Sequence, residues 1–585
     1  MAPPEFQSRK MESTTFFKSS SPVEIAVGHI NSGDLAAAKA VLADLLAREG
    51  RHPVGLYLLG YIAFSQNRWA DAESLLRKAL PEASAQAKVL ALLARTLRAS
   101  GKFQEALSVC RQIKSPDLES RLETARSETG AGNPKAGEAL LRSILPAIPA
   151  EDDATRAQLE HELGLTLKLQ HRYSDALAVM KSAAARSIAI RPHAMDRASL
   201  AAELGRFDEA AAAYQTILAN NPLDLEVHSL LNDIHHVSGR TDLLGTSYDM
   251  ALSAAPGAVS LPTAKGHLFL KLLEPERARD AFQSALVIAP DDTSALAGLG
   301  AALEQLDDLE AARAIHEGNI AGNPENGSAL EAFGQFLLRY GDARAALRTL
   351  ENAIRVRPAS QSGLALLGLA YRAAGDPREN WLNDYARDVQ IFDLKPPAGF
   401  DGMNEFNAEL ADYLRGLHRN ARQYPSQTLR SGTQTYQELF YQGHGLVQAL
   451  LARINAAVQS YRSQLAGRAD HPFASRLTRH FRHAGSWSSC LHDRGYHVNH
   501  IHQKGWISSC YYVAIPDAVG DSARKEGWLK FGEPPFPLGG DWSPQKAVRP
   551  VAGRLVLFPS YMWHGTNAFR SSQERITIAF DTVPA

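Results

Sequence analysis

Residues 205–222, GRFDEAAAAYQTILANNP, contain the signals that decide the fold of most of the chain. A Gly-Arg turn opens this stretch, apolar residues recur behind it at three- and four-residue spacing, and a proline closes it. Such spacing is typical of an amphipathic helix that begins after a turn and ends before a proline. The stretch therefore predicts one helix of a helix-turn-helix unit, in which small alanines let a neighbouring helix approach closely.

The turn recurs from residue 33 to residue 375, and the proline from residue 222 to residue 358, with a period of 34 residues in all but one gap between turns. A period of this length is the signature of a helical repeat array, in which each unit buries its apolar face against its neighbours. The prolines are Pro222, Pro256, Pro290, Pro324 and Pro358. The turn residues, each followed by an alanine a few positions later, are Gly33, Asn67, Gly101, His171, Gly205, Gly239, Asp307, Gly341 and Gly375.

The pattern over residues 22–385 resembles the tetratricopeptide repeat, which stacks into a right-handed superhelix with a concave groove. This resemblance implies an all-α N-terminal part and a peptide or protein partner bound in the groove. The alternative is a scaffold whose apolar stripes are all core. One step of 36 residues near 115–165 and the Glu274-Pro275 pair beside Leu273 break the pattern, so we expect distorted units there.

The composition changes after residue 385, where the 34-residue marks stop. Residues 386–471 are predicted to be a connector and a mainly helical support region, and residues 1–21 to be disordered. From residue 472 to residue 585, short β-branched and aromatic runs between Gly and Pro predict a double-sheet jelly roll. The candidate strands are 476–481, 506–515, 528–531, 554–558 and 575–581.

The charge balance limits the partners that we expect for this protein, and the cysteines indicate its compartment. Lys plus Arg number 62 and Asp plus Glu 63, without a long run of one sign, so neither nucleic acid nor a membrane surface is an expected partner. No apolar stretch is long enough for a membrane span or a signal peptide. Three scattered cysteines, Cys110, Cys490 and Cys510, fit a reducing compartment, and we expect a cytoplasmic protein. The sequence does not indicate an oligomeric state.

Histidines are concentrated at the start of the β region. His500 and His502 are separated by one residue, so in an extended segment they lie on the same face and can aim two imidazoles at one point. A third ligand such as His564, from a distant strand, would complete a facial three-ligand metal set with open positions. Any one of these histidines alone is more often an ordinary surface or core residue, but the pair favours a metal.

A candidate anion site follows His564 in the chain. Eleven residues later, Arg575 begins a predicted strand in which Thr577 shares its face. A buried guanidinium needs an anionic partner, and it recognises a carboxylate best through two parallel hydrogen bonds. The distal carboxylate of 2-oxoglutarate is a natural candidate for that partner.

Four blocks in order resemble the 2-oxoglutarate and iron(II)-dependent oxygenases related to prolyl 4-hydroxylase and aspartyl/asparaginyl hydroxylase: NHIHQKGWISSCYYVAIPD, WLKFGEP, VRPVAGRLVLFPSYMWHGTNAF and RITIAF. The resemblance implies a double-stranded β-helix and a dioxygenase that uses Fe(II), 2-oxoglutarate and O2 to hydroxylate a peptide or protein side chain recruited by the repeats. It assigns His500 and His564 as iron ligands and Arg575 with Thr577 as the cosubstrate clamp. Trp506, Tyr511 and Tyr512 would lie on the strand that lines the cosubstrate pocket.

The sequence departs from this family at one position. The usual motif is His-x-Asp or His-x-Glu, whereas His502 stands two residues after His500. Three interpretations stay open: a three-histidine site in which His500, His502 and His564 are all catalytic metal ligands, a two-histidine site with water in the third position, or a shifted register that uses His497 or His502 with a distant carboxylate. The functional alternatives are a repeat scaffold with a degenerate barrel and a three-histidine iron dioxygenase that needs no 2-oxoglutarate.

Overall fold

The computed structural model describes residues 21–80, 86–170, 172–186, 191–418, 427–435, 439–441, 444–521 and 523–585. The N-terminus predicted to be disordered lies outside these ranges except for its last residue. The chain divides into two compact units, Met1–Arg197 with Tyr441–Gly445 and Ala198–Phe440 with Leu446–Ala585. The domain boundaries at 385 and 471 stay predictions.

The first unit is built of helices, and helices that follow one another in the chain contact each other. The next helix, α11 (Arg191–Glu203), contains the point at which the chain passes to the second unit. The ten helices before it are α1 (Pro22–Ser32), α2 (Leu35–Glu49), α3 (Pro53–Ser65), α4 (Trp69–Ala79), α5 (Gln86–Ala99), α6 (Phe103–Cys110), α7 (Leu118–Gly130), α8 (Pro134–Ile144), α9 (Asp153–Leu169) and α10 (Tyr173–Arg186).

The second unit continues with helices and ends in a β region. No helix in the described ranges is both long and apolar enough to span a bilayer. The helices are α12 (Phe207–Asn220), α13 (Leu225–Val237), α14 (Thr246–Ala254), α15 (Ser260–Lys271), α16 (Pro275–Ile288), α17 (Thr293–Gln305), α18 (Leu309–Gly322), α19 (Gly327–Tyr340), α20 (Ala343–Val356), α21 (Gln361–Ala374), α22 (Arg378–Leu382), α23 (Tyr385–Asp388), α24 (Met403–Leu417) and α25 (Gly445–Ser463).

Most of the turn residues read from the sequence adopt the left-handed conformation, which joins two helices in a tight turn and favours glycine. Two of the residues that follow such turns, Asp34 and Asp308, cap the next helix with their side chains; Asp34 accepts from the Ala37 N–H at 3.0 Å. Gly341 differs, with φ −123°, and His171 lies outside the described residues. The turn residues with positive φ are Gly33, Asn67, Gly101, Gly205, Gly239, Asp307 and Gly375.

The five prolines with 34-residue spacing each stand two residues after the end of a helix. The helices α12, α14, α16, α18 and α20 end at Asn220, Ala254, Ile288, Gly322 and Val356. The residue between helix and proline is extended in φ in all five cases, as at Asn221 with φ −140° and ψ 83°. A proline disfavours the helical conformation of its predecessor, which is why the period of the prolines marks the period of the fold.

The irregular step near residues 115–165 has a structural cause. An additional left-handed turn lies at Gly132, with φ 89°, only 31 residues after Gly101. The unit that follows is longer, because a 3-10 turn at Leu145–Ala147 and the 17-residue helix α9 lie within it. The expectation of a distorted unit is therefore confirmed here.

At the second irregular place the turn geometry is kept without glycine. Leu273 adopts φ 59° and is 77% exposed. A left-handed conformation costs a residue with a Cβ roughly 1–2 kcal/mol relative to the right-handed one. We therefore expect Leu273→Gly to stabilise α15 and α16 by about 0.5–1 kcal/mol, after subtraction of the chain entropy that glycine adds to the unfolded state.

Hydrogen exchange of the amides in α15 and α16 measures this effect locally. The comparison is Leu272→Gly, because Leu272 has the right-handed φ of −83° and packs against the core, so the same substitution should cost at least about 1 kcal/mol. Equal destabilisation by both substitutions would contradict the assignment of strain to Leu273.

The β region forms two antiparallel sheets. The six-stranded sheet has the order β1-β7-β4-β9-β3-β2, and the three-stranded sheet has the order β6-β5-β8. Strand β9 lies between β4 and β3, with Tyr512 opposite Thr577 on one side and Ser489 opposite Thr577 on the other. The strands are β1 (Gln390–Asp393), β2 (Leu429–Gln434), β3 (Phe481–His497), β4 (Ile507–Ala514), β5 (Leu529–Phe531), β6 (Lys546–Val548), β7 (Arg554–Pro559), β8 (His564–Thr566) and β9 (Arg575–Pro584).

The first predicted strand is wrong. Arg476 is the last residue of a 3-10 turn, Ala474–Arg476, in which the Leu477 N–H donates to the Ala474 carbonyl, and residues 477–480 are not in a strand. The strand begins at Phe481 and runs on to His497. Its polar sequence hid it, because serines on it are buried between the hydrogen-bonded neighbours β2 and β9 rather than exposed in a loop. The short strands β1, β2, β6 and β8 were not predicted either.

The last repeats and the β region share one hydrophobic core. Buried residues of α20 and α21, among them Leu350, Leu364 and Leu367, belong to the same cluster as Trp506 and Phe580 in the β region. Burial of this kind is the main stabilising term of a fold. The C-terminal β region is therefore not a separate domain on a linker, because its hydrophobic core continues into the helices before it.

Candidate metal centre

The candidate site lies where the segment between β3 and β4 crosses the start of β8. The His500 N–H donates to the His564 carbonyl at 2.9 Å, and the His564 N–H donates to the His500 carbonyl at 3.0 Å. The His502 N–H donates to the Ser560 carbonyl at 3.0 Å. These backbone bonds hold the extended conformation of the His500-Ile501-His502 segment, in which residues i and i+2 lie on one face.

The three histidines are brought together by this crossing. One ligand atom from each of His500, His502 and His564 lies within 4.8 Å of the other two. The Nε2 atoms of His500 and His502 are 3.3 Å apart. The three imidazoles therefore face one point, as the sequence pattern suggested.

Each of these imidazoles is oriented by a hydrogen bond at its other ring nitrogen. Nδ1 of His500 lies 2.8 Å from the Val498 carbonyl, and Nδ1 of His564 lies 2.9 Å from the Met562 carbonyl. A carbonyl only accepts, so Nδ1 carries the proton and Nε2 keeps its lone pair. Metal-binding histidines are characteristically oriented in this way by an acceptor behind the ring.

Burial favours the neutral imidazoles that a metal requires. It lowers the pKa of His500 to about 3, and the neighbouring His502 adds to the effect. Burial, with His500 and His502 as further causes, also holds the pKa of His564 well below its usual range. A neutral His500 and a neutral His564 both present lone pairs at neutral pH.

The orienting group of His502 is a carboxylate. Nδ1 of His502 lies 2.5 Å from Oδ1 of Asp581, which also accepts from the Ser508 hydroxyl at 2.6 Å. Asp581 lies on β9 and does not belong to the group of converging ligand atoms. The chain thus has a carboxylate at this site, placed behind the histidine rather than facing the point on which the three rings converge.

Asp581 was missed in the sequence, although a signal for it exists. Arg575, Thr577, Ala579 and Asp581 alternate along one strand, so they share a face. Asp581 thus stands on the same face as the two polar residues predicted to bind the cosubstrate, which indicates that its carboxylate also belongs to the site.

Replacement of Asp581 by asparagine should weaken metal binding by about 10- to 100-fold, because carboxylates behind ligand histidines typically contribute that much. An amide can still accept from Nδ1–H but carries no charge to strengthen the imidazole as a donor. Anaerobic Fe(II) titration of the full-length protein measures the change. The control is Asp393→Asn, since Asp393 pairs with Arg554 at 2.8 Å on the far edge strand β1. An Asp581→Asn protein with wild-type affinity would contradict this role.

Arg575 lies on the same strand and is 1% exposed. Its Nε and Nη2 atoms are buried without a hydrogen-bond partner among the described residues, and the same holds for the Tyr512 hydroxyl. The guanidinium carbon is 5.2 Å from the centroid of the Tyr512 ring. A buried, unpaired guanidinium fork is costly unless an anion from outside the chain completes it.

A cavity of about 350 Å³ connects the three histidines with this arginine. Its lining contains both groups, together with Thr577 and Cys510. One cavity is therefore lined both by three possible metal ligands and by a cation that has no ion-pair partner among the described residues.

Three aromatic residues predicted to line the cosubstrate pocket behave differently. Tyr512 contacts Arg575, as described above. Trp506 is fully buried but directs its indole N–H to the Phe473 carbonyl at 2.9 Å, and the Tyr511 hydroxyl donates to Oδ1 of Asn407 at 2.7 Å. None of the three, Tyr512 included, is among the residues that line the cavity, although strand β4 contributes Ser509 and Cys510 to the lining. Tyr512 reaches the site only through its contact with Arg575. The partners of Trp506 and Tyr511 lie outside the β sheets and draw both side chains away from the site.

His497 lines the cavity but lies outside the converging group in the described residues. Its ring centroid is 6.0 Å from that of His500. A second group, Cys490, His492 and Glu574, is less suited to a metal. Burial, with the nearby Glu574, raises the pKa of the Cys490 thiol to about 12, and Glu574 already pairs with Arg415 at 3.0 Å.

Comparison with protein families assigns both parts of the chain. Residues 485–581 match the family described as "Putative 2OG-Fe(II) oxygenase". Tetratricopeptide-repeat families match residues 29–96, 89–122, 161–224, 195–259 and 263–317. The chain therefore carries tetratricopeptide repeats, which generally mediate protein or peptide binding, followed by a segment similar to the 2OG-Fe(II) oxygenases.

Solved structures that are similar to the chain share little sequence with it. Yeast Tom70 is 13% identical, with a TM-score of 0.26, over 62% of this chain and 97% of Tom70. A tetratricopeptide-repeat protein from Parabacteroides merdae is 18% identical, with a TM-score of 0.26, over 46% and 91%. The human IFIT1 dimer with PPP-AAAA is 16% identical, with a TM-score of 0.33, over 54% and 72%. The comparison with curated proteins gives no match.

Proposed function

We propose that residues 472–585 form a double-stranded β-helix that acts as an Fe(II)- and 2-oxoglutarate-dependent oxygenase and hydroxylates a peptide or protein side chain recruited by the repeats. The observation that carries the proposal is one cavity lined both by three converging imidazoles and by Arg575, two of whose guanidinium nitrogens have no partner among the described residues. The family match over residues 485–581 supports the same class of reaction.

The strand order supports the jelly-roll fold. The strands β7, β4, β9 and β3 are neighbours in one sheet, and β6, β5 and β8 form the other. The segment at His500 pairs with β8, so from β3 onward the chain changes sheet at nearly every connection. Such alternation between two facing sheets is how a double-sheet roll closes around a cavity.

The residues present fit the two groups that the family implies. His500, His502 and His564 would hold iron(II) through Nε2. The orientation of each ring is set by the hydrogen-bond partner of its Nδ1. Arg575, with Thr577 on the same face, would bind the distal carboxylate of 2-oxoglutarate. Arg575 has two buried nitrogens, Nε and Nη2, without a partner among the described residues and lines the cavity, which supports an anion bound from outside the chain.

Bound iron(II) with 2-oxoglutarate and O2 supplies the oxidation, in which one oxygen atom enters a substrate C–H bond as hydroxyl and the other enters succinate as CO2 is released. The chain's own residues would orient the metal and the cosubstrate, and they would keep water out of the site. His500 and His564 stay neutral because they are buried, Asp581 fixes the ring of His502, and the buried Arg575 would hold the cosubstrate carboxylate.

A peptide or protein substrate is supported by the repeats. Stacked helical repeats expose an extended surface of the size of a peptide, and tetratricopeptide repeats generally bind proteins or peptides. The continuous core between the last repeats and the β region supports a functional connection between the two.

A three-histidine iron dioxygenase that needs no 2-oxoglutarate is the second candidate, and the histidine at position 502 favours it. In an iron site of that kind, a buried arginine in the same cavity would have to bind an acidic group of the substrate itself. Arg575 therefore favours the 2-oxoglutarate-dependent reaction.

Anaerobic titration of the full-length protein with Fe(II), followed by 2-oxoglutarate, tests the proposal. We expect metal binding and then a metal-to-ligand charge-transfer band in the visible spectrum. Metal binding without a response to 2-oxoglutarate would select the second candidate. A protein that binds no Fe(II) would refute both and leave a repeat scaffold with a degenerate barrel.

A further inference from the structure

Helix α21 of the last repeat contacts the residue that precedes the candidate ligand His564. The indole N–H of Trp563 donates to the Ala365 carbonyl at 3.1 Å. Ala365 is buried in α21, and Trp563 packs against the core that α21 shares with the β region. One side of Trp563 is therefore attached to the repeats.

The backbone of Trp563 is attached to the same helix by a second route. The Trp563 carbonyl accepts from the Gly532 N–H at 2.9 Å, and the Gly532 carbonyl accepts from Nη1 of Arg372 at 2.9 Å. Gly532 has φ 83°, and an added Cβ would meet the Tyr385 hydroxyl at 2.8 Å. The turn at Gly532 therefore needs glycine to connect Trp563 with Arg372.

Ala365 and Arg372 are seven residues apart, which places them two turns apart on one face of α21. Nη2 of Arg372 also lies 3.2 Å from the Ser543 carbonyl, and its guanidinium lies 4.7 Å from the Trp542 ring. The loop after β5 is thus docked on the helix by the same arginine. One face of α21 thus contacts Trp563 in two ways: directly at its side chain, and through Gly532 at its backbone carbonyl.

From Trp563 the connection to the metal centre is short. His564 is the next residue, and its backbone exchanges two hydrogen bonds with His500. A shift of Trp563 therefore moves two of the three imidazoles, although neither Trp563 nor Arg372 belongs to the converging group. Displacements well below 1 Å are sufficient to disturb a preorganised ligand set.

We infer that Trp563 and Arg372 are positioning residues through which helix α21 of the last repeat sets the spacing of His500 and His564. The affinity of the centre for metal then depends on the repeat array, and a partner that moves α21 regulates the site. This inference rests on the proposed function only in that the three histidines bind a metal.

The test is Co(II) and Fe(II) titration of full-length Trp563→Phe, in which an aromatic ring is kept but the indole N–H and part of the ring volume are lost. We expect about tenfold weaker binding, the size typical of groups that support metal ligands from outside. The Co(II) absorption spectrum, which reports ligand geometry, should change as well. The control is Trp528→Phe, whose indole N–H donates to Val519 at 3.2 Å within the β region, and which should bind within twofold of wild type.

Arg372 provides an independent variant. Arg372→Gln should weaken metal binding in the same direction, and Arg372→Lys should retain part of the affinity because one ammonium can reach one carbonyl. The double variant Trp563→Phe with Arg372→Gln should lose less than the product of the single losses, since both act through one residue. A role in folding alone would lower thermal stability without changing metal affinity or the Co(II) spectrum.

The outcomes separate this inference from the proposed function. Wild-type metal affinity and an unchanged Co(II) spectrum in both single variants would overturn the inference while the metal site stands. A wild-type protein that binds no metal would overturn the proposed function and the inference with it. If Trp563→Phe does not fold, the two Arg372 variants decide the question.

Discussion

Replacement of Arg575 by methionine is expected to abolish 2-oxoglutarate binding while the unliganded protein stays at least as stable as wild type. The two changes have one cause. In the free protein the buried guanidinium leaves Nε and Nη2 without partners among the described residues, so its removal relieves a penalty. With cosubstrate bound, the same atoms would form charge-assisted hydrogen bonds to a carboxylate.

The expected sizes follow from these contacts. Hydrogen bonds to charged groups contribute roughly 1.5–3 kcal/mol each, so losing two should weaken 2-oxoglutarate binding by about 100-fold or more. The free energy of unfolding without ligand should be unchanged or higher by about 1 kcal/mol, since methionine has similar length and no unpaired donors. Isothermal titration under anaerobic conditions and thermal unfolding measure the two quantities.

Arg462→Met is the matched control. Arg462 is also a buried arginine, but its Nη2 donates to the Thr478 carbonyl and its Nη1 to the Gln459 side chain, both at 2.5 Å. Its replacement should lower stability by about 1–3 kcal/mol and leave 2-oxoglutarate affinity unchanged. If Arg575→Met instead behaved like this control, Arg575 would be a structural residue.

The helical part could be predicted because the residues that mark its period have strong backbone preferences. Prolines and left-handed turn residues impose the same local conformation wherever they stand, so a 34-residue spacing in sequence becomes the spacing of helix ends. Leu273 shows the limit of this reasoning. The neighbouring units hold the turn there, and a residue with a Cβ adopts a conformation that its own preference disfavours.

The β region was harder to predict because tertiary contacts decide it. The buried serines of β3 look like loop residues until the two neighbouring strands are known. Alternation did place Arg575 and Thr577 on one face, and the spacing of His500 and His502 predicted two imidazoles on one side. Whether Trp506 faces the cavity depends on the Phe473 carbonyl, which a single sequence cannot locate.

The third ligand could not be assigned from sequence because the answer lies on a different strand. A histidine at position 502 suggested the loss of a carboxylate, whereas Asp581, 79 residues away, approaches the same ring from behind. The position of the carboxylate rather than its presence distinguishes this site from the usual motif. Such a distant pair is visible only when β9 lies beside β4.

Single replacements of His500, His502 and His564 by alanine should each weaken Fe(II) binding by at least about 100-fold, because a lost ligand removes more than the 10- to 100-fold that supporting groups contribute. We expect equivalent roles for the three, since each ring has a hydrogen-bond partner at Nδ1 and one ligand atom in the converging group. Anaerobic Fe(II) titration in the presence of a competing chelator measures the affinities.

Alanine variants of the four candidate ligands, with a fifth histidine as control, decide which ligand set is used. His497→Ala should retain metal affinity within about tenfold, because His497 is outside the converging group, and His483→Ala should retain it fully, because Nε2 of His483 is bonded to Asn455 at 2.8 Å. If His502→Ala bound Fe(II) like wild type, water would occupy the third position. If His497→Ala lost the metal and His502→Ala kept it, the shifted register would be correct. Loss in His500, His502 and His564 alone would require all three imidazoles, with Asp581 acting on the metal only through His502.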